Sequence, residues 1–242
     1  MLVLPLSVLA LVIWLGLIFC HGRFWQAGPI LRPVRGAQLA GQKCPEVCVV
    51  VPARDEAASV VQSVGSLLAQ DYPGELHVIL VDDNSTDGTG RLARSVPDPK
   101  KRLTVVNGRA RPPGWSGKLW AVAQGVARAR ELMPDSSGFV LLTDADITHD
   151  PRHISTLVAK AQADHLDQVS EMVELNCASA AERMLVPAFV FFFTLLYPFA
   201  SVNNPRSRVA GAAGGTVLVR WSALARIGGI ESLRGALIDD CT

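Results

Sequence analysis

The sequence has almost no excess charge of either sign. Lys and Arg number 23 against 22 Asp and Glu, a formal net charge of +1 over 242 residues. That balance excludes a nucleic-acid binder working through bulk positive charge, and equally an acidic disordered tail. Charged residues make up only 19% of the chain and hydrophobic residues 49%. The scarcity of charge points toward membrane contact, and the apolar content is too high for disorder. Cysteine is sparse as well: Cys20, Cys44, Cys48, Cys177 and Cys241 are odd in number and scattered. They make neither a disulfide framework nor a zinc-ligand spacing, so reduced thiols in a cytosolic compartment are expected. No Gly-x-Gly-x-x-Gly follows a strand-like run, Gly117-Lys118 leads into Leu119, and no His-Glu-x-x-His occurs. A dinucleotide enzyme, a Walker-type loop and a zincin-type metal site are excluded on those grounds. Internal repeats and low-complexity tracts are absent too.

Charge is missing altogether from Met1 to Cys20, where Leu, Val, Ile and Phe dominate. At about 1.5 Å per residue such a stretch is long enough to cross a bilayer core as one helix. Arg23, Arg32, Arg35 and Lys43 follow before the first acid, Glu46, and Phe24 and Trp25 sit where an aromatic belt belongs. The positive-inside rule then places the N-terminus outside and everything after His21 in the cytoplasm. A cleaved signal peptide would need a basic leading region and a small-residue cleavage site, and the sequence offers neither convincingly. A second apolar run, Met184 to Val202, carries Phe189-Val190-Phe191-Phe192-Phe193 and is interrupted by Pro187 and Pro198. Its length allows a span; its composition fits an interfacial or a core helix equally.

Between these runs the chain alternates short apolar strands with helical patterns. Val47–Val51 is a continuous β-branched-rich run closed by Pro52, as in a strand buried on both faces. Ser59–Ala69 has helical spacing, Leu76–Val81 and Leu103–Val106 read as strands, Lys118–Leu132 as a helix and Phe139–Thr143 as a fourth strand. Strands alternating with helices imply a mostly parallel α/β sheet with right-handed crossovers. The expected organisation is a transmembrane anchor over 1–20, a basic juxtamembrane linker over 21–45, and one α/β domain over 46–242 that contains the hydrophobic segment 184–202.

Ligands of such sheets bind at the carboxyl ends of the strands, so the residues just after each strand carry the information. Pro52-Ala53-Arg54-Asp55-Glu56 follows the first, Asp82-Asp83-Asn84-Ser85-Thr86-Asp87-Gly88-Thr89 the second, and Asp144-Ala145-Asp146 the fourth. The last triplet offers two hard oxygen donors of the kind that hold Mg²⁺ or Mn²⁺ against a diphosphate, although alone it fits a turn equally well. In the second loop Ser85, Thr86 or Asp87 can cap a helix, which leaves two successive acids at the strand end without a role. Asp83 is suited to accept a hydrogen bond from a base or a ribose. The Gly- and Pro-rich stretch 108–118 ends in Lys118 at a helix start, fit either to face phosphates or to be a solvated surface loop. His149 and His153 read as surface or helix-start residues, and Trp221 as core. Ile238-Asp239-Asp240 places a second acidic pair near the chain end, where Asp240 is a candidate catalytic base.

Taken in order, these motifs resemble family 2 glycosyltransferases of the GT-A fold over roughly Val47 to Thr242. The hydrophobic details are most similar to the hopanoid-biosynthesis-associated, ceramide-glucosyltransferase-like membrane branch. The resemblance implies that Pro52, Ala53, Glu56, Asp83, Lys118 and Asp144 hold a nucleotide-sugar, a UDP-sugar first of all. It implies Asp146 as the divalent metal ligand (Mg²⁺ or Mn²⁺), with Asp144 beside it, and Asp240 as the base that deprotonates the acceptor hydroxyl. The reaction it implies inverts the anomeric carbon in one displacement and uses a lipid acceptor at the cytoplasmic face of the inner membrane. Departure of a diphosphate needs charge neutralisation, and a hydroxyl needs a positioned carboxylate, so two acidic clusters answer two chemical needs. The family continues beyond the second acidic pair with a Gln-x-x-Arg-Trp-like segment and further membrane helices. The expectation is therefore a C-terminally incomplete chain, with an inactive nucleotide-sugar-binding fragment or part of a polysaccharide synthase as the alternative readings.

Overall fold

A computed structural model describes residues 3–26, 28–39, 41, 43–134 and 137–236. The chain divides into two compact units: the described residues of Met1–Leu31 with Glu174–Gly211, and those of Arg32–Val173 with Ala212–Asp240.

The order of elements is α1 (Val3–Cys20), α2 (Gly36–Leu39), β1 (Val47–Ala53), α3 (Val60–Leu68), β2 (Leu76–Asp82), α4 (Thr89–Arg94), β3 (Leu103–Asn107), α5 (Gly117–Leu132), β4 (Phe139–Thr143), α6 (His153–Ala163), β5 (Gln168–Ser170), α7 (Ala180–Leu196), α8 (Phe199–Val202), β6 (Thr216–Arg220) and α9 (Trp221–Arg226). In the larger unit the strands form one sheet of order β3-β2-β1-β4-β6-β5. The first four run parallel, and β6 is antiparallel to both β4 and β5. The sheet is thus a mostly parallel α/β assembly flanked by helices, as its alternating pattern predicts.

Val47 to Val51 are fully buried without alternation, because both sheet faces are covered. Cys48, Val50, Ile79, Val81 and Val140 share one core with Leu119, Val122 and Val126 of α5 and with Trp221 and Leu224 of α9. Gly125 lets α5 approach that face, since a methyl there would meet the side chains of Val50 and Val81. Burial pushes the Cys48 thiol up to about 12, with Glu46 adding to the effect, so it stays a neutral apolar filler. β1 runs two residues past the apolar run and takes in Pro52, paired with Val81. The ladder to β4 ends at Val50, so Pro52 removes no donor from it.

Part of the segment expected to be linker is packed. Gly36 N–H donates to Asp71 Oδ2 at 2.9 Å and Val34 N–H to Thr156 Oγ1 at 2.9 Å, and Leu39 is buried.

In the smaller unit no side chain of α1 is buried. The chain leaves α1 through His21, whose Nε2 bonds the Leu195 carbonyl at 2.7 Å, and Phe24, whose ring meets the Phe191 ring edge at 5.4 Å. Phe24 is therefore buried rather than in a belt, while Trp25 is exposed. α7 opens on a capping box: Ser179 Oγ accepts from Glu182 N–H and Glu182 Oε2 from Ser179 N–H. Its Met184, Leu185, Phe189 and Phe192 are exposed. Val3–Cys20 and Ala180–Val202 are each long and apolar enough to cross a membrane.

Candidate active site

The strand order reverses between β1 and β4, since β2 and β3 lie to one side and β4 to the other. Their carboxyl ends flank a crevice of the kind that binds ligands in open α/β sheets. Three carboxylate-bearing loops surround it.

The loops after β1 and β2 are laced together. Asp55 N–H donates to Ser85 Oγ at 3.0 Å, Glu56 N–H to Thr89 Oγ1 at 2.8 Å and Ala57 N–H to Asp87 Oδ2 at 2.8 Å. Thr86 N–H returns a bond to Asp55 Oδ1 at 2.7 Å. Asp55 and Asn84 sustain positive φ values of 55° and 58°, which Asp and Asn tolerate better than most residues. The hydroxyl of Thr89 first, then the Ala57 amide, hold the Asp87 carboxyl below its usual range. The helix after this loop is capped by Gly88 with no side-chain bond. Asp87 instead takes the Thr89 N–H at 2.9 Å, so the loop's polar residues mainly bind its neighbour loop.

The two successive acids have different tasks. Asp82 Oδ1 accepts the Ser85 N–H at 3.0 Å and shapes the turn. Asp83 is 6% exposed, with Arg54 Nη1 3.7 Å from its Oδ2 and the Asn84 amide 3.3 Å from its Oδ1. Gly117, the first residue of α5, lies so near Asp83 that a Cβ there would be 3.3 Å from Oδ2. The start of a 16-residue helix is a favourable place for that carboxylate. The next residue, Lys118, extends to Asp144, with Nζ 2.8 Å from Oδ1. The first turn of α5 thus joins Asp83 of one loop to Asp144 of another.

That turn is itself fixed. Ser116 caps α5 by accepting the Leu119 N–H at 3.2 Å. Trp115 is buried against Trp120, Arg111 donates to the Trp115 carbonyl at 2.8 Å, and Arg234 to the Pro113 carbonyl at 2.7 Å. The Gly- and Pro-rich loop is therefore largely exposed, as a surface loop would be, but is pinned at Trp115 and Pro113.

Asp144 N–H bonds the Gly215 carbonyl at 3.1 Å, Ala145 is buried, and Asp146 is exposed. Hard carboxylate oxygens on one loop, one paired with a lysine and one open to solvent, fit a divalent ion shared with a diphosphate. Among the described residues another cluster with metal-ligand spacing, Glu46, Glu75 and His77, is at the amino ends of β1 and β2, away from these loops. Of the remaining site expectations, Pro52 and Ala53 are in β1 itself and Glu56 accepts a bond from Ser59 Oγ at 2.8 Å. Asp239 and Asp240 lie outside the described residues.

His149 departs from expectation. It is 6% exposed, and its Nε2 is 3.2 Å from Thr143 Oγ1. Burial, then the neighbouring His153, pushes its imidazole down to about 3, so it is neutral. His153 does begin α6, but its Nδ1 faces Glu171 Oε2 at 3.1 Å and its Nε2 Thr216 Oγ1 at 3.2 Å. Sequence reading misses this cluster because its members come from α3, the end of β4, the residue after β5 and the start of β6, segments that only the folded sheet brings together.

Known proteins share both sequence and architecture with this chain. The mannosyltransferase PcManGT from Pyrobaculum calidifontis, solved with GDP-Man and Mn²⁺, superposes with a TM-score of 0.59 at 21% identity, over 93% of this chain and 58% of that one. The succinoglycan biosynthesis protein ExoO of Rhizobium meliloti (strain 1021) is 32% identical over 161 residues, 61% of this chain and 42% of that protein. The beta-monoglucosyldiacylglycerol synthase of Synechocystis sp. is 39% identical over 77 residues, 31% of this chain and 16% of that protein. The chain spans less than half the length of these curated relatives. The model of the family described as glycosyl transferase family 2 matches residues 48–228, which include all three carboxyl-edge loops and every strand but the first residue of β1, and the chain therefore belongs to glycosyl transferase family 2.

Proposed function

We propose that the protein transfers a sugar from a nucleotide-sugar to a lipid hydroxyl, with inversion, at the cytoplasmic face of the inner membrane. The observation that carries this reading is the first turn of α5, which brings Lys118 onto Asp144 and packs Gly117 against Asp83 at the β1/β4 crevice. Asp83 with the Pro52, Ala53 and Glu56 segment holds the nucleoside, and Lys118 and Asp144 face the diphosphate and sugar. Asp146, with Asp144, holds Mg²⁺ or Mn²⁺, which when bound offsets the charge of the departing diphosphate. The acceptor oxygen bonds to the anomeric carbon as the bond to the diphosphate breaks. Asp240 takes the hydroxyl proton, and the nucleoside diphosphate leaves with the electron pair. Metal use is supported by the donor set and by the Mn²⁺ in the PcManGT complex, and a nucleotide-sugar donor by the GDP-Man there.

The lipid acceptor is supported by the similarity to a protein named as a glucosyldiacylglycerol synthase and by two exposed apolar helices. A hopanoid- or sphingolipid-like acceptor follows from the resemblance of the hydrophobic segments. A saccharide acceptor is the second reading, favoured by the similarity to a succinoglycan biosynthesis protein. Incubating membranes that carry the protein with UDP- and GDP-sugars labelled in the sugar decides between them. Label in the organic extract, with the anomeric configuration opposite to that of the donor, is the expected result; label only in water-soluble saccharide contradicts the lipid reading.

In this scheme α1 anchors the chain and Met184–Val202 lies along the membrane interface without crossing it. Asp146 precedes that run and Asp240 follows it, so a single crossing would separate two residues of one site. The bonding of Leu195, late in α7, to His21 at the end of α1 supports the same arrangement, as does Pro187 inside α7. Single cysteines placed on either side of the run are expected to label from the same face of intact cells. Labelling from opposite faces would contradict both the topology and the shared site.

A further inference from the structure

The triplet Asp144-Ala145-Asp146 is only as well placed as the strand end that bears it. A hydroxyl has one proton to give, and the Gly215 carbonyl, 3.0 Å from Thr143 Oγ1, can only accept it. His149 Nε2 must then be the donor in its 3.2 Å contact with Thr143 Oγ1. The bonds run from His149 Nε2–H to the Thr143 hydroxyl and on to the Gly215 carbonyl, which also accepts the Asp144 N–H at 3.1 Å. His149 is held in turn by its own N–H on Ser66 Oγ at 3.0 Å and by the His153 ring, whose centroid is 4.7 Å away. His153 closes the circuit on the other strand, through Thr216, the register partner of Thr143, and through Glu171.

We propose that Thr143, His149 and His153 form a latch that positions Asp144 and Asp146, by fixing the carboxyl end of β4 to the glycine turn before β6. This rests on the reading of Asp144 and Asp146 as the residues that meet the metal and the donor. None of the three latch residues touches substrate; they are positioning residues. A loop without the latch keeps both carboxylates but holds them less well for simultaneous contact with a metal and a diphosphate.

The test is calorimetric titration of the whole protein with UDP, and separately GDP, in the presence of Mn²⁺, with thermal melting recorded for each variant. Thr143→Val keeps the side chain's shape and His149→Phe keeps an aromatic ring, each without the hydrogen bonds, whereas Thr143→Ser and His149→Gln keep a donor. Outer-sphere partners of this kind are worth about 10- to 100-fold in metal affinity. Val and Phe are expected to weaken Mn²⁺-dependent nucleotide binding by that factor, and Ser and Gln to restore it to near the wild-type value. Unchanged affinity in Thr143→Val overturns the latch. So does equal weakening in all four variants, which would mean packing alone. Wild-type and Asp146→Ala proteins in the same titration separate the two claims. Wild-type binding that ignores removal of Mn²⁺ overturns the functional reading, and the latch with it. Wild-type binding that needs Mn²⁺, beside an unaffected Thr143→Val, overturns the latch alone.

Discussion

Asp240→Asn is expected to lower kcat by about 10²–10⁴-fold, the usual contribution of a positioned general base. The asparagine keeps the size of the side chain and cannot take the acceptor's proton. Donor affinity should change little, because Asp83, Lys118, Asp144 and Asp146 belong to other segments of the chain. Asp239→Asn should cost much less, acting only through the field at its neighbour. Steady-state transfer rates at saturating donor, set beside nucleotide affinities for the same variants, provide the check. A full kcat in Asp240→Asn would place the base elsewhere.

Asp146→Ala has the second large expected effect. The side chain is exposed, so its removal leaves no cavity, and the melting temperature should match that of the wild type. Loss of a metal ligand beside the leaving diphosphate removes several kcal/mol of charge stabilisation, which is on the order of 10²–10³-fold in turnover. Asp144→Asn would be less clean, since it also removes the negative charge that pairs with Lys118 Nζ at 2.8 Å. Transfer rates as a function of Mn²⁺ concentration measure the effect: the wild type should saturate and Asp146→Ala should not. A variant that follows the wild-type curve would take Asp146 out of the metal site.

Much of the sheet was legible in the sequence because its strands are buried on both faces. Val47–Val51, Leu76–Val81 and Phe139–Thr143 are runs that few other environments accommodate, and each reappears as β1, β2 or β4 with ends shifted by at most two residues. The site loops were legible for a related reason, since polar clusters directly behind such runs must lie at the carboxyl edge. β5 left little trace, being three residues long, and β6, as long as β4, is hidden behind the small residues that precede it and the helix that follows it directly. Without them the partners of His153 could not be named, and the buried imidazole of His149 looked like that of a surface residue. The division of labour between Asp82 and Asp83 was equally hidden. It depends on Gly90, Gly108 and Gly117 approaching the pair from other segments, and sequence spacing does not encode such approaches. Conversely, the interplay of Asp55, Glu56 and Ala57 with Ser85, Thr89 and Asp87 follows from adjacent parallel strands. Residues just past β1 and β2 are neighbours by register.

The central claim is that the crevice at the β1/β4 switch point binds a nucleoside diphosphate through a divalent ion. Calorimetric titration of the unmodified protein with UDP and with GDP, each with Mn²⁺ and again after addition of a chelator, measures it most directly. The account predicts saturable binding of at least one nucleotide with the metal and its loss with the chelator. Binding of equal affinity in both conditions, or no binding of either nucleotide with Mn²⁺ present, would contradict it.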